Sequence, residues 1–256
     1  MTLFYQTNLI GQVIFATSDR PSARTPLLSP SHHPLGGDSV GLVANIMPAT
    51  HPAAVEQGAF LLRQGQLVCF PTDTVYGIGA AASNEGAILR LYAVKGRAPD
   101  KPLPLLISEP SQASLYADVT PVARTLIARF WPGPLTIVMR KADGLRSRAL
   151  AGQKTVALRV PDNDVPRNMA RLLGEPLTGT SANRSGARPP VSAAEVAFSL
   201  GEMVSLVIDG GRSEAGLEST VVDVSGGAPA LLREGAVSRE DVEKALGRTL
   251  KVEANN

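Results

Sequence analysis

From Pro48 onward, short apolar runs alternate with stretches in which apolar residues recur every three or four positions. The first pattern is typical of buried strands, and the second of helices with one buried face. Ile88, Leu91 and Tyr92, for example, share one face of a segment that follows Asn84, a residue type favoured as a helix N-cap. The pattern predicts helices at 52–64, 84–94, 121–130, 164–173, 193–200 and from Ser238 onward, and strands at 66–70, 103–107, 135–139, 156–160, 176–180, 204–208, 219–224 and 229–233.

Strands outnumber the intervening helices toward the end of this series. A sheet with parallel and antiparallel neighbours accommodates that order, so we expect a twisted open mixed sheet covered by helices, an α/β or α+β fold. One domain is predicted at 48–250, with a short C-terminal tail at 251–256.

Residues 1–47 differ in composition from the rest of the chain. They contain four charged residues, and the stretch 18–39 is rich in Ser, Pro and Gly, which bury little apolar surface. We predict an N-terminal tail that is disordered or poorly ordered. A transit peptide is the alternative, but the segment is not Arg-rich.

The overall composition is that of an ordinary soluble protein. The chain has 256 residues, of which 44% are hydrophobic and 19% charged, with a net charge of +2. No run approaches the roughly eighteen apolar residues that a membrane-spanning helix needs. These features predict a cytoplasmic protein without a membrane association, and the small net charge does not decide between nucleic-acid and small-molecule partners.

The usual nucleophile and base pairs are missing from the predicted domain. The last histidine is His51, and the only cysteine, Cys69, lies in an apolar run. Any chemistry must therefore depend on fixed cations, hydroxyl groups and backbone N–H groups, with or without a metal, which are the groups that bind phosphates.

Three cations, Lys95, Arg97 and Lys101, follow a predicted helix in a segment that contains three prolines. Cations at a helix C-terminus also complement the helix dipole, so a solvated helix end is an equal alternative for these residues alone. The prolines favour a binding loop because a loop that is already ordered loses less entropy when it binds an anion.

Two hydroxyl-rich segments follow predicted strands, at 71–77 and 178–186. The ends of strands in open sheets commonly contact ligands, and small residues with glycines allow phosphate to approach the backbone N–H groups. For each segment the alternative is a polar turn whose hydroxyl groups bond the local backbone.

Taken in order, seven short motifs resemble the YrdC/TsaC family of threonylcarbamoyl-adenylate synthases. The resemblance covers about residues 50–247, and it is specific because the motifs occur together and in order. They are Pro-Thr-Asp-Thr-Val-Tyr-Gly at 71–77, Lys-Gly-Arg at 95–97, Trp-Pro-Gly-Pro-Leu-Thr at 131–136, Arg-Val-Pro at 159–161, Thr-Ser-Ala-Asn-x-Ser-Gly at 180–186, Glu-Ser-Thr-Val-Val-Asp at 218–223 and Leu-Arg-x-Gly at 232–235.

The resemblance implies a single-domain form of this family, a YrdC-like fold with a central basic concave cleft and a specific reaction. ATP with Mg²⁺, L-threonine and bicarbonate give threonylcarbamoyl-adenylate and pyrophosphate, and the adenylate serves threonylcarbamoylation of adenosine 37 in tRNA. Partners are then these substrates, with tRNA or other proteins of the tRNA-modification pathway. The residues implied are Lys95 and Arg97 as catalytic, Arg97, Lys101, Thr136, Ser181, Asn183 and Arg233 as nucleotide-binding, and Thr74, Arg140 and Ser219 as threonine-binding.

Two positions depart from the family pattern. Leu106 stands where many members have a histidine that contacts threonine, and Pro189 stands where some have a serine that contacts the nucleotide. Two alternatives therefore accompany the synthase hypothesis. One is a divergent relative that binds nucleotide without catalysis, and the other is an RNA-binding module, whose affinity would depend steeply on salt.

Overall fold

The computed structural model describes residues 45–252. Most of the predicted N-terminal tail, residues 1–44, and the last four residues lie outside the described range. The strands are β1 (Ile46–Pro48), β2 (Val68–Phe70), β3 (Gly77–Gly79), β4 (Leu105–Leu106), β5 (Leu135–Arg140), β6 (Thr155–Arg159), β7 (Leu177–Thr178), β8 (Thr180–Ser181), β9 (Leu206–Asp209), β10 (Thr220–Asp223), β11 (Ala230–Arg233) and β12 (Lys251–Val252).

The predicted helices form close to their expected bounds, with one additional short helix. Side-chain caps explain why the observed helix starts agree with the predicted ones. A backbone N–H of the first helical turn donates a hydrogen bond to the side chain of each cap residue, namely Asn84, Thr120, Ser192 and Ser238. The helices are α1 (Ala54–Arg63), α2 (Glu85–Lys95), α3 (Ala113–Tyr116), α4 (Pro121–Phe130), α5 (Asp164–Leu173), α6 (Ala193–Leu200) and α7 (Arg239–Leu246).

The mixed α/β class is confirmed, but the strands form two sheets rather than one. The five-stranded sheet has the order β1-β9-β2-β3-β8, and the seven-stranded sheet has the order β12-β11-β10-β5-β6-β4-β7. Both contain parallel and antiparallel pairs: β2 runs parallel to β9 and antiparallel to β3, while β5 runs parallel to β10 and antiparallel to β6.

The predicted domain, 48–250, is too short at both ends. Ile46 and Met47, assigned from sequence to the tail, belong to β1, which pairs in parallel with β9. Lys251, assigned to the C-terminal tail, begins β12 beside β11. Both strands lie at sheet edges and are very short, so their sequences carry no alternating pattern that distinguishes them from a tail.

The short strand β3 was not predicted, because two of its three residues are glycine. The structure requires those glycines. A Cβ at Gly77 would lie 2.8 Å from the Phe70 ring, and one at Gly79 would lie 2.7 Å from the carbonyl oxygen of Thr178. The glycines allow β3 to pair closely with β2 in the sheet. Because the turn at 72–75 lies just before β3, this pairing holds the turn in place.

Candidate functional site

A cavity of about 1000 Å³ lies among residues that both sheets contribute. Its walls are the turn after β2, the segment after α2, the loop after β8, and the inward-facing residues of β5, β6, β10 and β11. We call residues 72–75 the hydroxyl turn and residues 95–102 the cation loop. A cavity of this size accommodates a nucleotide together with a second small substrate.

Lys95, the last residue of α2, is buried at the cavity wall. The helix ends there because Gly96 adopts a left-handed conformation with φ of 59°. The Lys95 ammonium donates hydrogen bonds to the carbonyl oxygens of Ser181 and, at 2.8 Å, Asn183. Burial, and then the nearby positive charge of Arg97, lower the pKa of Lys95 to about 8. The Lys-Gly-Arg and Ser-Ala-Asn motifs are thus joined through one side chain.

Arg97 orders the cation loop from within. Its Nη2 donates to the carbonyl oxygen of Pro102 at 3.0 Å, and its Nε lies 3.4 Å from that of Lys101. The hydroxyl group of Tyr92 donates to the same Lys101 carbonyl at 2.9 Å. Arg97 is half-buried whereas Lys101 is exposed, and both line the cavity. Arginine presents several N–H donors in a plane, so Arg97 has donors left for an anion.

Asn183, which lines the cavity, carries a buried acceptor without a partner. Its amide nitrogen donates to the carbonyl oxygens of Arg184 and Ala187, which closes the loop after β8. Its Oδ1 is buried and has no hydrogen-bond partner among the described residues. Turning the amide over would place the oxygen against two carbonyl oxygens, so this orientation is determined by the loop. A buried acceptor without a partner is the kind of group that a ligand donor satisfies.

The hydroxyl turn is a closed hydrogen-bond network. The Thr72 hydroxyl donates to the carbonyl oxygen of Val75 at 2.6 Å and accepts from the backbone N–H groups of Thr74 and Val75. The two threonine hydroxyl groups lie 2.9 Å apart. Arg159, at the end of β6, donates to the Thr74 hydroxyl at 3.0 Å and pairs with Asp73. This side of the cavity is therefore ordered before any substrate binds.

A further cluster of polar side chains lies where β5, β10 and β11 meet. The hydroxyl groups of Thr136 and Ser219 are 2.8 Å apart, and Arg233 Nη2 donates to the carbonyl oxygen of Ser219 at 2.9 Å. Arg233 also pairs with Glu218 at 2.9 Å. Gly235 is required here, because a Cβ would lie 2.2 Å from the carbonyl oxygen of Glu218.

All but one of the site residues predicted from the sequence line the cavity. Arg140 is the exception: it is exposed, is not part of the cavity lining, and donates to the carbonyl oxygen of Ser225 at 3.2 Å. The residues that do line the cavity are Thr74, Lys95, Arg97, Lys101, Thr136, Ser181, Asn183, Ser219 and Arg233.

Arg159 is a cavity residue to which the sequence analysis assigns no role. It lines the cavity, is almost completely buried, and contacts the hydroxyl of Thr74. It belongs to the Arg-Val-Pro motif at 159–161. The available signal was a cation at the end of an otherwise apolar strand, a position at which an unpaired charge is costly.

Leu106 and Pro189, the two departures from the family pattern, both line the cavity. Leu106 packs against the backbone of Gly179, where an added Cβ would lie 2.4 Å from the Leu106 Cγ. The wall is therefore apolar and tightly packed at the position where a histidine was expected.

Two further properties concern the part of the chain that the structure describes. Within residues 45–252, no three His, Cys, Asp or Glu side chains are grouped as ligands for a metal ion. None of the described helices combines the length and the apolar character that crossing a membrane requires.

The fold and the cavity define a mixed α/β protein with a cation-lined cavity among residues of two sheets. The family model for Sua5/YciO/YrdC, described as "Telomere recombination", matches residues 60–235. The chain belongs to this family.

Several relatives are similar over most of the chain. A threonylcarbamoyl-AMP synthase of Bacillus subtilis is 40% identical over 78% of this chain and 58% of its own length. A putative threonylcarbamoyl-AMP synthase of Mycobacterium tuberculosis is 41% identical over 73% of this chain and 86% of its own length. The crystal structure of Pyrococcus abyssi Sua5 complexed with L-threonine is 38% identical, with a TM-score of 0.74, over 78% of this chain and 58% of that one. This chain therefore spans about three fifths of the Bacillus and Pyrococcus proteins.

Proposed function

We propose that this protein synthesises threonylcarbamoyl-AMP from L-threonine, bicarbonate and ATP, with release of pyrophosphate. The observation that carries the proposal is one cavity that both the cation loop and the closed hydroxyl turn line. The first suits phosphates and the second suits a small polar molecule such as an amino acid. Relatives named threonylcarbamoyl-AMP synthase, and a related structure that contains L-threonine, support the same reaction.

The amino acid would bind beside the hydroxyl turn. Arg159 offers N–H donors to a carboxylate, and the hydroxyl of Thr74 is already aligned by its bond to Arg159. Ser219 and Thr136 add hydroxyl groups to the cavity lining. Because these groups are ordered in advance, little entropy is lost in aligning the substrate amine.

The nucleotide would bind with its phosphates near Arg97, Lys101 and Arg233. Bicarbonate and the threonine amine form a carbamate and water. A carbamate oxygen then attacks the α-phosphorus, and the bond from that phosphorus to the bridging oxygen of pyrophosphate breaks. This sequence needs fixed positive charge and alignment rather than a protein nucleophile. It is consistent with a domain that has no histidine after His51.

Mg²⁺ belongs to this proposal as part of the substrate. Mg²⁺ commonly binds phosphate oxygens and retains several waters, so it does not need a cage of protein ligands. We propose that ATP enters as its Mg²⁺ complex, which lowers the repulsion between the phosphates and the attacking carbamate.

The product is a reactive mixed anhydride, so a second reaction must consume it. We propose that it serves threonylcarbamoylation of tRNA, through tRNA-modification proteins, and that this takes place in the cytoplasm. An RNA-binding module without catalysis remains the competing function.

A direct assay separates these functions. Purified protein with ATP, Mg²⁺, L-threonine and bicarbonate should release pyrophosphate and form threonylcarbamoyl-AMP, detected by mass. Omitting threonine or bicarbonate should abolish the product. Serine should be a poorer substrate because it lacks one methyl group. The loss in kcat/KM should correspond to only about 1–3 kcal/mol.

The assay has two outcomes that contradict the proposal. Folded protein that binds ATP but forms no adenylate would be a divergent relative. Protein that forms no adenylate but binds RNA with a steep salt dependence would be an RNA-binding module.

A further inference from the structure

The cations that line the cavity differ in how their charge is compensated. Arg159, beside the hydroxyl turn, forms an ion pair with Asp73 in which the two side chains are only 7% and 15% exposed. In the part of the chain that the structure describes, Arg97 and Lys101 form no ion pair with a carboxylate. The cation loop therefore presents uncompensated positive charge, whereas the charge of Arg159 is compensated before any ligand binds.

Arg233, which also lines the cavity, has a partner of a different kind. Its ion pair with Glu218 at 2.9 Å joins side chains that are 38% and 34% exposed. Water screens a pair with this exposure, so Glu218 reduces the attraction of Arg233 for an anion much less than Asp73 reduces that of Arg159. Arg159 is thus the cavity arginine whose positive charge is balanced in a buried place.

Three hydrogen bonds hold the Arg159 guanidinium in one orientation. Its Nε donates to the carbonyl oxygen of Gly133 at 3.0 Å, its Nη1 donates to the hydroxyl of Thr74 at 3.0 Å, and its Nη2 donates to Asp73. A guanidinium has five N–H donors, so one remains on each terminal nitrogen after these bonds. An anion that binds Arg159 therefore meets a guanidinium whose orientation and net charge depend on Asp73.

Asp73 itself is not among the residues that line the cavity. Its Oδ1 accepts the hydrogen bond from Arg159, while its Oδ2 is buried and has no hydrogen-bond partner among the described residues. No further N–H or O–H donor in this part of the structure offsets the negative charge of that oxygen. A ligand anion at Arg159 is therefore repelled by Asp73 as well as attracted by the guanidinium.

This arrangement discriminates between anions by their charge. The cost of removing an anion from water rises roughly as the square of its charge, whereas its attraction to a fixed cation rises only in proportion. A neutral ion pair offers charge-assisted hydrogen bonds but little net charge. That is sufficient for a carboxylate, which carries one negative charge, and insufficient for a phosphate dianion.

We propose that Asp73 makes Arg159 selective for the carboxylate of the amino acid and keeps phosphate groups of the nucleotide away from it. This inference rests on the proposed function. Both substrates are anions that enter one cavity, and a phosphate bound at Arg159 would block the amino acid. Asp73 is a positioning residue, because it acts on the ligand through Arg159 and through its own charge. The uncompensated cations, Arg97 and Lys101, attract the phosphates instead.

Asp73→Asn tests the proposal, because asparagine keeps the shape of the side chain and an acceptor oxygen for Arg159 but removes the charge. The protein is saturated with Mg²⁺ and an ATP analogue that cannot be cleaved. It is then titrated calorimetrically with inorganic phosphate, above the second pKa of phosphate. Asp73→Asn should bind phosphate at least tenfold more tightly than wild type does, and L-threonine should displace it. Asp73→Glu, which keeps the negative charge, is the matched control and should exclude phosphate as wild type does.

The adenylate assay provides a second measurement of the same property. In Asp73→Asn, added phosphate should raise the apparent KM for threonine and leave kcat unchanged, whereas in wild type it should change neither. A residue that only stabilises the fold would not create this competition. Phosphate that competes with threonine in wild type, or binds no more tightly to a folded Asp73→Asn, overturns the proposal. An equal gain in Asp73→Glu also overturns it, because the charge would then not be the cause.

If a thermal melt shows that Asp73→Asn does not fold, wild type answers the question with a matched pair of ligands. These are L-threonine and its analogue in which a phosphonate replaces the carboxylate. The phosphonate should bind at least tenfold more weakly, and its affinity relative to threonine should fall further as the pH rises through its second ionisation. Equal affinity, or a ratio that does not change with pH, overturns the proposal.

Failure of the proposed function would give a different result. Wild-type protein that forms no adenylate contradicts the synthase assignment, and wild-type protein that binds no L-threonine contradicts the assignment of the amino-acid site. The calorimetric competition between phosphate and threonine requires no turnover, so it tests the role of Asp73 separately from the reaction.

Discussion

The hydroxyl turn and the cation loop line the same cavity, but they are ordered in different ways. In the hydroxyl turn, Thr72 bonds Thr74 and the local backbone, and Thr74 accepts a hydrogen bond from Arg159. In the cation loop, Arg97 binds two carbonyl oxygens and Lys101 is exposed to solvent. The hydroxyl turn is part of the folded structure, so changes there should reduce stability. The cation loop carries charge that an anion would neutralise, so changes there should reduce binding.

The largest effect is expected for Arg159→Met. Methionine fills a similar volume but leaves the largely buried Asp73 without its partner, which should lower the free energy of unfolding by about 3–5 kcal/mol. Urea denaturation measures this value. Arg140→Met, at an exposed arginine on a neighbouring strand, is the control and should change stability very little. Equal effects of the two substitutions would contradict the distinction drawn between these arginines.

The pH dependence of stability should identify Lys95 as a buried cation. Its pKa is lowered from 10.5 to about 8 in the folded protein, so the unfolded chain binds more protons between these values. Stability relative to Lys95→Met should therefore rise as pH increases from about 8 to 10.5. Below about pH 8 the destabilisation is fully present. The difference should change by up to about 3 kcal/mol across this range.

Denaturant midpoints of wild type and Lys95→Met, measured at several pH values, provide the test. Groups other than Lys95 titrate in both proteins and cancel in the comparison. A difference that stays constant from pH 8 to 10.5 would show that the Lys95 pKa is not lowered.

Arg97→Lys should weaken ATP binding at least tenfold, or about 1.4 kcal/mol, while changing stability less than Arg159→Met does. A lysine ammonium cannot reproduce the planar set of N–H donors that binds phosphate oxygens. Calorimetric titration with ATP measures the affinity, and a thermal melt measures stability. Loss of stability with unchanged ATP affinity would reverse the roles assigned to the two walls.

The sequence predicted helices and the cation loop well because their signals are local. Asn84 caps α2, Gly96 ends it, and Lys95 and Arg97 follow from that end. By contrast, the division into two sheets and the position of β3 depend on pairing between distant segments, which no local pattern specifies. The same reason explains why Arg159 lines the cavity and Arg140 does not: both end a strand, and only the hydrogen bond from Arg159 to Thr74, a distant segment, distinguishes them.

Thr72→Val should have the smallest effect, and it tests whether the hydroxyl turn is ordered by its own hydrogen bonds. Valine keeps the shape of the buried side chain but removes the hydroxyl that bonds the backbone of Thr74 and Val75. The free energy of unfolding should fall by about 1 kcal/mol. Thr125→Val is the matched control, because the Thr125 hydroxyl bonds a carbonyl oxygen in an exposed turn of α4 where water can replace it. An equal loss in both variants would mean that burial of the Thr72 network adds nothing, and the hydroxyl turn would then need a bound substrate to become ordered.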